Sequence, residues 1–336
     1  MKLRRVSFLA LIAPSLLLWS FSSRSSSVGR AAPGARKPYL LLLTFYARNI
    51  LDFTFTPAML SEFSKSPYDG MAVQLVSGDE RTRVPSPGEI EPKLLRLKEA
   101  TGKDIWPWVF LNRMIGANPA QPKPGLNFYG WDLDDTHGAQ SAFFSTWRLA
   151  FRMAKELGTP GVVGDLEPYN NYPSYEIAGL ARQTQKTPEQ VIALLKTIGT
   201  RMADNAAQEL PGAKVWFLET SLYRPNPHPY QFASYYVVIG MLDRIQQAGL
   251  NITVISGQEQ SLGYCHESPE SLRSHIKENF SHYSPYLKKY AGVFQLGGTI
   301  ALWRDAAAKT GWLNSGRCGA STAQGVEDLD IDGHEY

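Results

Sequence analysis

Asp165 and Glu167 stand two residues apart in the run Gly161-Val162-Val163-Gly164-Asp165-Leu166-Glu167-Pro168-Tyr169. Side chains two apart on a strand leave the same face, so this spacing predicts both carboxyls on one surface. Two carboxylates so close in a partly buried site cannot both ionise freely, and the one that keeps its proton can serve as a general acid near neutral pH. Such a pair suits cleavage of a glycosidic bond. The competing reading is structural: the acids bond Arg or Lys side chains at the strand end, or hold a cation.

A second carboxylate has two candidates. Glu219, in Trp216-Phe217-Leu218-Glu219-Thr220-Ser221-Leu222-Tyr223, closes another strand-like run as a nucleophile or base, or else as a salt-bridging barrel residue; Glu259, in Ser256-Gly257-Gln258-Glu259-Gln260, follows the next. Retaining and inverting glycosidases differ in carboxyl separation, about 5 Å against about 6.5–9.5 Å. Aromatic faces meet the C–H faces of sugar rings while amides and carboxylates take the hydroxyls. Trp108, Asn112, Tyr169, Tyr223, Gln258, Glu259 and Trp303 are therefore the candidate substrate-binding residues. Trp147, among Phe143, Phe144 and Phe151, reads as helix core.

These residues need a scaffold that gathers strand ends. Apolar runs at 39–46, 71–76, 105–111, 161–167, 214–220, 252–256 and 293–303 alternate with helical stretches at 57–65, 89–100, 139–157, 188–209, 231–248 and 268–290. This is the pattern of repeated β/α units. Thr187-Pro188-Glu189 and Ser268-Pro269-Glu270 read as helix starts, and Gly158, Gly249 and Gly292 as stops. The fold class is α/β, a (β/α)8 TIM barrel or an incomplete, seven-stranded variant. An eighth strand is obtained by splitting the last run at Gly297-Gly298 or from an irregular loop. No Gly-rich loop follows the first strand, which disfavours a doubly wound sheet, and no Gly-x-Ser-x-Gly elbow is present. In β/α barrels the site lies at the C-terminal strand ends, where the long stretches 112–138 and 168–186 read as loops.

Lys2, Arg4 and Arg5 precede an apolar stretch at 6–21 and a Ser/Ala/Gly-rich run to Ala35, the organisation of a signal peptide with a polar linker. The stretch is short and contains Pro14, so no permanent membrane anchor is expected, and the chain is read as secreted or periplasmic. One barrel domain is expected over 36–320 and an acidic, disordered tail over 321–336. The net charge is +3, with Lys2, Arg4, Arg5, Arg24, Arg30, Arg36 and Lys37 contributing at the N-terminus. The remainder is near neutral, which argues against nucleic acid as a partner. Cys265 and Cys318 either form a disulfide in an oxidising compartment or stand as unrelated thiols. The acids of 132–135 more often cap a helix than hold a cation, and the calcium-loop-like start at 328–333 lacks the closing Glu. No His/Cys spacing suggests zinc, and neither a metal nor a cofactor is expected.

Asp165-Leu166-Glu167-Pro168-Tyr169, with its preceding Gly161-Val162-Val163-Gly164, resembles the fourth-strand motif of the family 18 glycoside hydrolases, the chitinases and their relatives. Gly297-Gly298-Thr299-Ile300-Ala301-Leu302-Trp303 resembles that family's last strand. The resemblance implies Glu167 as proton donor to the leaving oxygen, Asp165 as the group that orients a substrate N-acetyl, and Trp303 as a stacking floor. The expected function is hydrolysis of an oligo- or polysaccharide. Its alternatives are a non-catalytic carbohydrate-binding barrel and metal-dependent hydrolysis through Asp132, Asp134 and Asp165.

Overall fold

Seven strands pair in parallel and in chain order: β1 (Leu41–Leu43), β2 (Gly70–Gln74), β3 (Asp104–Phe110), β4 (Gly161–Asp165), β5 (Lys214–Phe217), β6 (Thr253–Ser256) and β7 (Phe294–Leu296). They belong to a computed structural model that describes residues 39–43, 55–75, 86–110, 139–166, 176–223, 229–258 and 269–298. Parallel neighbours cannot be joined by a tight hairpin and need a crossover, which helices supply. These are α1 (Pro57–Lys65), α2 (Pro87–Thr101), α3 (Ala139–Leu157), α4 (Ile177–Thr184), α5 (Pro188–Glu209), α6 (Ala233–Ala248) and α7 (Pro269–Lys289). The result is a curled, incomplete seven-stranded variant of the (β/α)8 barrel, as the strand pattern predicts. The segment 299–303, the candidate for an eighth strand, lies outside the described residues.

Local chemistry sets the helix ends. Thr187 caps α5: its hydroxyl accepts from the Gln190 amide at 3.3 Å, and Gln190 Oε1 accepts from the Thr187 amide at 2.8 Å. Each bond satisfies a donor that the first helical turn would otherwise leave unpaired. Gly249 closes α6 at φ 61°, in the left-handed region where a side chain would be strained. One stretch differs from its sequence reading. Residues 168–186 read as a loop, yet α4 lies within them, with Ile177 and Leu180 buried three residues apart on one face. Two turns with so few apolar positions carry too little periodicity to stand out from a loop, and contact with the rest of the fold makes up the difference.

The apolar residues divide into two layers. Met71, Val73, Ile105, Val109, Val162, Val215, Phe217, Val254 and Phe294 belong to the larger core, shared by the sheet's outer face and the helices. Trp147 of α3 anchors it, as expected: it is fully buried, its ring lies parallel to Phe217 with centroids 6.3 Å apart, and its Nε1 donates to Met202 O at 3.1 Å. A smaller inner cluster holds Ala72, Trp106, Trp108, Val163 and Leu218, with Leu41, Leu43 and Trp216 packed against it. Helices α5 and α6 meet backbone to backbone. A Cβ on Gly199 would stand 2.6 Å from Met241 N, and one on Gly240 would stand 2.6 Å from Lys196 Cα.

Candidate functional site

The inner cluster fixes which way each strand residue faces. Val163 belongs to it, and Asp165 is two positions further along β4, so the Asp165 carboxyl projects to the inner face at the C-terminal end of the strand. Asp165 is fully buried, and its Cα partner on β3 is Phe110. Trp108, also fully buried, is paired with Val163 one step below. Asp165 and Trp108 thus share the inner face at the middle of the sheet. Their partners in the candidate site, Glu167, Asn112, Tyr169, Glu259 and Trp303, lie outside the described residues. So do Cys265, Cys318 and the acidic clusters at 132–135 and 328–332.

Glu219 differs from its expected setting. The strand ends at Phe217 rather than Thr220, and Glu219 lies in the turn beyond it, 1% exposed. Its Oε1 accepts from the Ser221 amide at 2.8 Å, and Ser221 sits at φ 54°, a left-handed conformation that bends the chain away from the sheet. Ser234 at the start of α6 donates to Ser221 Oγ at 2.7 Å, which ties the turn to the following helix. Beside it is a buried hydroxyl triad. Thr220 Oγ1 and Ser256 Oγ are 3.0 Å apart, and Ser256 donates to Tyr283 Oη at 3.3 Å. Burial first, and then the negative charge of Glu219, push the Tyr283 phenol well above its ordinary range. A carboxylate held in this way has a fixed orientation.

Gln258, 4% exposed at φ 55°, donates its side-chain amide to Gly297 O and so braces the end of β6 against the end of β7. Tyr223 turns towards α7: its hydroxyl donates to Glu278 at 3.0 Å, and its ring lies parallel to His282 with centroids 3.9 Å apart. Burial, then the Glu278 bond and charge, raise this phenol to about 12. Glu219 and Gln258 therefore follow neighbouring strands, while Tyr223 engages the helical layer.

Two inner-face groups escape a reading based on acids and exposed aromatics. Gln74 at the end of β2 is 4% exposed and pairs with Trp108, and Trp216 on β5 pairs with Val163. The available signal was a lone amide within the apolar run 71–76. Among the described residues no group of three or more His, Cys, Asp and Glu could hold a metal ion, and no helix is long and apolar enough to cross a membrane.

The strand order and the inward carboxyl define the class as an α/β protein of incomplete-barrel type with a polar C-terminal rim. No protein-family model and no curated protein matches the chain. Among solved structures, a sugar phosphate isomerase/epimerase from Parabacteroides distasonis aligns at a TM-score of 0.40 with 12% identity, over 88% of this chain and 97% of the other. A thermostable mutant of a xylanase from Cellvibrio japonicus gives 0.44 with 10% identity, over 89% and 80%. The catalytic domain of a β-amylase from Paenibacillus polymyxa gives 0.41 with 11% identity, over 87% and 97%. Likeness this loose carries nothing about activity, and the architecture rests on the strand pairing.

Proposed function

We propose that the chain is an exported glycoside hydrolase acting on an oligo- or polysaccharide. Glu167 is its general acid and Asp165 its stabilising partner. In the reaction the Glu167 carboxyl gives its proton to the glycosidic oxygen, the bond from that oxygen to the anomeric carbon breaks, and water supplies the hydroxyl of the new reducing end. Asp165 stabilises the positive charge that develops on the sugar. Either Glu219 or a group of the substrate completes the chemistry. One observation supports this above the others: Asp165 is fully buried and faces inward at the C-terminal end of β4, the end at which β/α barrels do chemistry. A carboxylate kept out of water at such a strand end is a usual mark of a group with a task.

The test is release of reducing ends from a broad glycan panel. Wild type hydrolyses at least one glycan, and Glu167→Gln lowers turnover on it by about a hundred- to ten-thousandfold while binding persists. If the native protein binds glycans and cleaves none, the chain is instead a carbohydrate-binding barrel.

A further inference from the structure

One row of Cα partners crosses six strands on the inner face: Gln74, Trp108, Val163, Trp216, Ile255 and Gln295. Gln74 has the same parity as Ala72, and Trp216 the same parity as Leu218, so both side chains face inward. Gln74 is buried, and among the described residues its carboxamide makes no hydrogen bond. Among the described residues the Nε1 of Trp216 is also buried without an acceptor. Two other indoles differ: Trp106 Nε1 donates to Tyr39 Oη at 2.9 Å, and Trp147 Nε1 to Met202 O at 3.1 Å.

A buried polar group without a partner lowers stability, and an apolar group of the same shape would fill its space at no such cost. The ladder itself uses main-chain atoms and asks for neither side-chain group. We propose that the Gln74 carboxamide and the Trp216 indole N–H are hydrogen-bonding positions for a polyhydroxylated, uncharged ligand held inside the strand ends. The indole N–H only donates, whereas the carboxamide both donates and accepts. Hydroxyl groups satisfy both, since each accepts from the indole or exchanges bonds in both directions with the amide. A carbonyl or ether oxygen would leave the amide oxygen unpaired, and an ammonium would leave the indole N–H so. That the ligand is a sugar rests on the hydrolase reading above; the two residues themselves are separate from the carboxylate pair.

The experiment compares full-length wild type, Gln74→Met and Trp216→Phe by thermal unfolding and by calorimetric titration with xylohexaose, cellohexaose, chitohexaose and maltohexaose. Without sugar, Gln74→Met melts at or above wild type, because no bond is lost. With the hexasaccharide that wild type binds, each variant binds about three- to tenfold more weakly. A Gln74→Met protein that melts well below wild type without sugar overturns the proposal, since the carboxamide would then already have a partner. Wild-type affinity in both variants overturns it too. If wild type hydrolyses a glycan and both variants do so with unchanged KM, this proposal falls and the hydrolase reading stands. If wild type neither binds nor cleaves any sugar, both fall.

Discussion

Replacing Gly199 by Ala sets two opposed effects against each other. Within a helix Ala is favoured over Gly by about 1 kcal/mol, so propensity alone predicts a more stable protein. The added Cβ, however, would stand 2.6 Å from Met241 N and would also meet the Val237 carbonyl. Ordinary contact lies at about 3.5–4.0 Å, and the Val237 carbonyl is nearer than Met241 N, so α5 and α6 must separate by more than about 1 Å. The obstruction is backbone, which cannot rotate aside as a side-chain tip can. Overpacking of this kind costs about 3 kcal/mol or more, which leaves a net loss of about 2 kcal/mol. For a chain of 336 residues that lowers the melting temperature by about 3 °C. Thermal unfolding followed by circular dichroism reads the shift, with Gly88→Ala as control, because a Cβ there meets nothing within 4 Å. Gly240→Ala opens the same gap from the other helix, so the double variant loses less than the sum of the singles. A Gly199→Ala protein that melts at or above wild type would refute the backbone contact. The displacement would also reach the rim, since α6 holds the Glu219 turn through Ser234.

Tyr283→Phe leaves the Ser256 and Thr220 hydroxyls buried with one partner fewer, and urea denaturation should show a loss of about 1–2 kcal/mol. Burial raises Tyr223 and Tyr290 to about 12, and Tyr39, Tyr283 and Tyr286 also shift upward from 10.0. The unfolded chain releases these protons near 10.0 while the folded chain keeps them. Their contribution to stability is therefore complete below that pH and is lost as pH rises through about 12. Denaturation measured across this window, with tyrosinate absorbance as a second signal, checks the sign; phenols of the folded protein ionising together near 10.0 would contradict it.

The strands were legible because parallel strands covered on both faces read as unbroken apolar runs, and β2, buried at every position, is such a run. The same property hides the site. When both faces are apolar, the sequence does not say which parity points inward, and Gln74 looks like any interruption. Asp165 was legible as an acid at the end of such a run, and β4 does end on it. Glu219 was legible as an acid at a strand end but not as a member of a turn, since the left-handed Ser221 and the bond to Ser234 depend on where α6 docks. Tyr223 reads as a rim aromatic, yet its partners, Glu278 and His282, come from a helix 55 or more residues away, a distance no local pattern spans.

Counted across the strands of the described residues, β4 has three on either flank. Any splaying of the outer strands is shared among the ladders between them, so displacement shrinks towards the middle and is smallest at β4. A carboxyl mounted there keeps its aim even where the two margins are free to shift.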